Sequence, residues 1–138
     1  MSDSTLDPDF IPYQIQADED YMSDAQRNHF RQYLLRWKHR LMCEVDRTVA
    51  SMQQENVHFP DPNDRASQEE ELTLSLRARD RERKLIRKID ESLHLIERGD
   101  YGYCANCGVE IGLRRLEARP TATLCIDCKT ASEDRERQ

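Results

Sequence analysis

Phe59-Pro60-Asp61-Pro62-Asn63-Asp64 is the stretch that decides the fold. Two prolines within three residues stop a helix arriving from upstream, because proline lacks the N–H and disfavours a helical residue before it. The same stretch starts the next helix. Asp61 suits the N-cap, Pro62 the first helical position and Asp64 the first turn. A tip is therefore expected at 57–66, with helix on both sides.

Upstream, Ser23-Asp24-Ala25-Gln26 has capping-box spacing. From there Phe30, Leu34, Trp37, Leu41, Val45, Thr48 or Val49, and Met52 recur at three- and four-residue steps, without Gly or Pro until about Asn56. That is one apolar stripe of a helix, roughly 50 Å long at ~1.5 Å per residue. Downstream, the second helix runs to about Arg98, where Gly99 is placed to end it. Its seam reads Leu72, Leu76, Ile86, Ile89, Leu93 and Ile96. Across 77–84 only Ala78 is apolar, so the seam there rests on the aliphatic stems of Arg79 and Arg83. Two long helices with one narrow stripe each, joined by a short loop, predict an antiparallel helical hairpin over 23–98. A parallel dimeric coiled coil would also bury the stripes, but the tight loop makes the hairpin far cheaper in entropy. The expectation is a mostly α, monomeric coiled-coil rod.

Composition agrees with a rod. Of 138 residues 37% are apolar and 35% charged, against typical values of about 45–50% and 25%. Little apolar material is left to wall an enclosed catalytic pocket. The net charge is −6, a poor basis for non-specific DNA binding, which rests on phosphate neutralisation. The acids are unevenly placed: residues 1–24 hold seven of the 27 and no Lys or Arg. No segment approaches the ~18 apolar residues of a membrane span. The acidic N-terminus lacks the apolar core of a signal peptide. A cytoplasmic location and reduced thiols are expected, and paired cysteines then suggest a metal before a disulfide.

Four of the five cysteines form Cys104-Ala-Asn-Cys107 and Cys125-Ile-Asp-Cys128. Two C-x2-C pairs at this separation are a zinc spacing. Four thiolates close the tetrahedron and leave no position for water, so one structural ion is expected rather than a Lewis acid. Cys43, mid-helix, is read as a small helix residue. The chain then divides into an acidic segment at 1–22, the hairpin at 23–98, a zinc-finger base at 99–124, and a C-terminal helix within 125–138 that carries the second cysteine pair at its start. An antiparallel hairpin brings its first and last turns together. Phe10, Ile11, Tyr13 and Ile15 are therefore candidates to pack on Tyr101, Tyr103, Ile111, Leu113 and Leu116.

Arg77, Arg81, Lys84 and Lys88 follow i, i+4, i+7, i+11 and fall within about 60° on the helix face opposite the stripe. They suit an acidic groove or a phosphorylated ligand, although on the residues alone the nearby acids make an ordinary solvated face the preferred description. Asp61 and Asp64 are explained by capping, yet at the apex of a rod they also form a charged probe. His29, His39, His58 and His94 are scattered and are read as surface residues.

The runs FPDPNDRASQEEE, RDRERKLIRKI and YGYCANCGVEIGLRRLEARPTATLCIDCK together resemble the DksA family of bacterial RNA polymerase-binding transcription factors, over nearly the whole chain from Tyr21 to about Glu136. The resemblance implies a hairpin inserted into the secondary channel of RNA polymerase. It implies modulation of initiation together with the effector ppGpp, without sequence-specific DNA binding and without catalysis. By the same resemblance Asp61, Asp64 and Ala66 are the tip residues brought near the polymerase active site. Arg81 and Lys88 contact polymerase. Leu85, Lys88, Arg119 and Lys129 form this chain's share of a ppGpp pocket at the interface. Alternatives are a transcript-cleavage factor of the GreA kind and a zinc-ribbon nucleic-acid binder.

Overall fold

The computed structural model describes the backbone of residues 11–55 and 62–137 and the side chains of 11–47 and 65–137. Phe10, His58, Asp61 and the rest of the predicted tip loop before Pro62 lie outside the described residues, as do the side chains of Thr48, Val49, Met52 and Asp64.

Among the described residues four helices follow in order: α1 (Asp24–Glu55), α2 (Pro62–Arg98), α3 (Leu113–Ala118) and α4 (Ile126–Glu136). The first two pair as the expected hairpin, tied by an ion pair between Lys38 Nζ and Asp90 Oδ1 at 2.7 Å. The start of α1 and the end of α2 carry the caps the sequence announces. Gln26 N–H donates to Ser23 Oγ at 3.3 Å. The Gln26 side-chain oxygen reaches back one residue further than a standard box and accepts from Met22 N–H at 2.7 Å. At the other end Gly99 adopts φ +80°, and Asp100 N–H then closes onto Leu95 O at 2.9 Å. That left-handed residue is cheap only for glycine. The short α3 was not anticipated.

Burial concentrates at the base. Phe30, Tyr33, Leu34, Trp37 and Leu41 of α1 meet Ile89 and Ile96 of α2 and Tyr101, Ile111, Leu113 and Leu116 of the finger, all buried. Here three layers enclose each side chain, and burying one large apolar group contributes about 1.5–3 kcal/mol. Tyr33, outside the predicted stripe, is fully buried because the finger supplies the third layer. Farther out two helices face only each other and no described residue of α2 before Ile89 is fully buried.

The α2 seam differs from expectation in its outer half. The half-buried positions there are Gln68, Ser75, Ala78, Arg79 and Glu82, followed by Leu85 and Ile86. Leu72 and Leu76 are 36% and 45% exposed because the seam steps from Ser75 to Ala78 and Arg79, leaving the two leucines beside it. Arg79 lies on the seam as expected. Glu82 takes the place assigned to Arg83, which is exposed.

The N-terminal segment docks on the base through different residues from those predicted. Ile11 and Ile15 are exposed. Tyr21 and Met22 are the anchors instead. The Tyr21 hydroxyl donates to Gly102 O at 2.7 Å and accepts from Gly112 N–H at 2.9 Å. Met22, at φ +55°, is buried over Gly102. A Cβ there would stand 2.9 Å from Met22 Cγ, so the close approach requires glycine. Tyr13 does contribute: its N–H donates to Glu117 Oε1 at 3.1 Å, and its ring meets His29 edge-on at 5.2 Å. His29 is thus half-buried, not a free surface residue, and burial lowers its pKa.

Candidate metal centre and basic groove

The two cysteine pairs lie in turns that present thiols to one point. Cys104 N–H donates to Val109 O at 2.8 Å, and Gly108 N–H to Cys104 O at 2.9 Å, which folds the first knuckle. Ala105 N–H donates to Thr123 O at 2.8 Å and fastens this knuckle to the approach of the second pair. Cys125 is the N-cap of α4, where Lys129 N–H donates to Cys125 O at 2.9 Å. The result is four Sγ atoms all within 4.8 Å of one another, with Cys107 and Cys125 at 3.7 Å. Tetrahedral bonds of ~2.3 Å to zinc set sulfurs about 3.8 Å apart, so the donor set fits that ion. Cys43 is not one of the four; its Sγ sits 3.8 Å from His39 Nε2 on α1.

The thiols also need a cation for electrostatic reasons. Backbone contacts at Cys125 and Cys107 pull the Cys104 thiol down to about 6. Asn106 Nδ2 donates to Cys128 Sγ at 3.3 Å and favours its thiolate, but hydrogen bonds with Cys125, Cys107 and Cys104 outweigh this and push Cys128 up to about 12. Four thiolates this close cannot coexist without a positive charge among them. When bound, zinc would bridge the two halves of the finger and hold them shut. It has no open coordination position with which to do chemistry.

The comparisons with known proteins agree. A family model described as "Prokaryotic dksA/traR C4-type zinc finger" matches residues 99–134. A second, "DnaK suppressor protein DksA, N-terminal domain", matches residues 26–96. The chain belongs to the DksA family. Over 127 residues, 92% of this chain, it is 62% identical to the RNA polymerase-binding transcription factor DksA of Escherichia coli K12, covering 84% of that protein. It is 58% identical to the Haemophilus influenzae protein of the same name, over 92% of this chain and 88% of that one. Among solved structures, transcription factor DksA2 from Pseudomonas aeruginosa aligns with a TM-score of 0.82 and 44% identity, covering 88% of this chain and 95% of that one.

A second feature of the base is a groove of about 720 Å³ between α2 and the finger. Leu85, Lys88, Arg119 and Lys129, scattered over 45 positions of sequence, all line it. Arg98 and Arg115 also line it and were not singled out from sequence. Both belong to its wall through local bonds: Arg98 pairs with Asp100 at 2.9 Å, and Arg115 Nε donates to Leu124 O at 3.0 Å. Lys88, Arg98, Arg115, Arg119 and Lys129 stand against one acid, Glu91. Such a wall suits an anion with several phosphates, the guanidinium groups offering paired donors and the lysines point charges.

The other predicted positions are distributed along the rod. Arg77, Arg81, Lys84 and Lys88 are all exposed on α2, Lys84 pairing with Asp80 at 3.1 Å. Ala66 is exposed one turn into α2, and Asp64 belongs to the first turn of its backbone. Among the described residues no helix is long and apolar enough to cross a membrane.

Proposed function

We propose that this chain is a monomeric cytoplasmic transcription factor that binds RNA polymerase directly and acts without chemistry of its own and without sequence-specific DNA contacts. The hairpin enters the secondary channel. Asp61, Asp64 and Ala66 at its tip come near the polymerase active site, and Arg81 and Lys88 on the exposed α2 face grip the channel wall. The relatives named RNA polymerase-binding factors support the partner.

The observation that carries the regulatory half is the convergence of Leu85, Lys88, Arg119 and Lys129 on one groove. We infer that this groove is one wall of a ppGpp site that polymerase completes. The groove is open, so the isolated chain binds ppGpp weakly and the complex binds it well. Co-purification with core polymerase tests the partner. Initiation assays with and without ppGpp test the groove: Arg119→Ala in the complex removes the ppGpp-dependent part of regulation and leaves much of the basal part. A full ppGpp response in that variant, or RNA cleavage in stalled complexes driven by the chain, would overturn the reading.

A further inference from the structure

The outer α2 seam carries three half-buried polar positions, Ser75, Arg79 and Glu82, with only the small Ala78 among them. Their steps of four and three residues continue into Ile86, Ile89, Leu93 and Ile96 without a break in register. Polar groups therefore occupy true core sites rather than a stretch where the helices part. Arg79 Nε and Glu82 Oε2 are both shielded from solvent with no hydrogen-bond partner. The Lys38–Asp90 pair fixes the antiparallel register, which brings Glu44 of α1 beside Glu82. Burial first, and then the charge of Glu44, raise the Glu82 carboxyl's pKa, while Arg81 opposes the shift. Inward of this run the seam turns apolar, half-buried at Leu85 and Ile86, and Leu41 and Ile89 are the outermost fully buried apolar residues described in the two helices.

We propose that Ser75, Arg79 and Glu82 form a weak joint in the hairpin, about which the outer arm opens and bends as one body while the base stays closed. A polar residue at a coiled-coil core site holds register but lowers stability. Unpaired polar atoms in low dielectric lower it further. Three such positions within 75–82, relieved only by the single methyl of Ala78, with like charge across the interface, separate the rod into two cooperative parts. The base below is held by three layers, so opening stops there.

Hydrogen exchange on the zinc-loaded full chain tests this. Amides from 65 to 86 are expected to exchange together, at least a hundredfold faster than those from 89 to 96, with a sharp step between the two groups. Brief trypsin treatment should cut first at Arg81, Arg83 or Lys84. Glu82→Leu and, separately, Arg79→Leu place apolar groups on the seam and should slow exchange of the outer group tenfold or more while leaving the base unchanged. Glu82→Gln, which removes only the charge, should give a smaller slowing. A smooth gradient of protection from the tip, equal protection of the two groups, or leucine variants that exchange like the parent would overturn the proposal. The step in the parent protein decides it by itself if a variant fails to fold.

Discussion

The Tyr21 hydroxyl spans two glycines of the finger, donating to Gly102 O at 2.7 Å and accepting from Gly112 N–H at 2.9 Å. One side chain thus fastens the segment before α1 to both sides of the turn that holds the first cysteine pair. Tyr21→Phe keeps the ring and its edge-on contact with Tyr103 but takes the acceptor from Gly112 N–H in a half-buried place, while Gly102 O keeps its bond from Ile111 N–H. The expected loss is about 1–3 kcal/mol, read as a lower urea midpoint with an unchanged slope. A midpoint equal to the parent's would mean that the two bonds are replaced by water at no cost.

Acid should loosen the same region through Glu19. Ser23 and then Tyr13 hydroxyls, with Gln16 N–H, hold its carboxyl at about 2, below the ordinary 4.5. A depressed carboxylate stabilises the fold fully above pH 4.5, and that contribution is lost as pH falls from 4.5 toward 2. Glu19→Gln should therefore be less stable than the parent at pH 6 and approach it near pH 2.5. Parallel stability curves for the two proteins would refute the assignment.

Strong chelation of the zinc-loaded chain should unfold the finger while much of the hairpin's helix survives. The four thiols hold the finger's two knuckles together, whereas α1 and α2 bury their own stripe. Far-UV circular dichroism should keep most of its amplitude. The near-UV signal and the protease resistance of 99–125 should be lost. An unchanged near-UV spectrum would sink a structural role for the metal.

Asp64→Asn should leave polymerase affinity within a few-fold and abolish the effect on initiation. Asn serves helix N-termini nearly as well as Asp, so charge is removed without the local structure. A variant that regulates fully would reduce Asp64 to a capping device.

Much of this molecule was legible because its signals are local. Pro62 and Gly99 bound α2 at the residues where chain chemistry allows no alternative, and the two C-x2-C pairs announce their own convergence. The outer α2 seam was misread because leucines are poor guides where the core is polar: Leu76 lost its place to Ser75 and Arg79, whose register shows only against the partner helix. Hydrophobicity alone favours Ile11 and Ile15 as anchors, whereas Tyr21 and Met22 dock through a glycine floor that no spacing rule reveals. The groove was half visible. Family likeness pointed to Leu85, Lys88, Arg119 and Lys129, but Arg98 and Arg115 join them only through the turn at Gly99 and the short α3.

The wide sequence separation of the finger's ligands also sets an order of events during synthesis. The stripe of Phe30, Tyr33, Leu34, Trp37 and Leu41 leaves the ribosome well before Ile89 and Ile96 can cover it, and the hairpin can zip once α2 has emerged. The floor cannot close until Cys125 and Cys128 have followed. In that interval the apolar base of a nearly finished rod stands open, with Tyr101 and Leu116 unplaced. Nascent chains stalled between α3 and the second cysteine pair are thus the forms most in need of a chaperone.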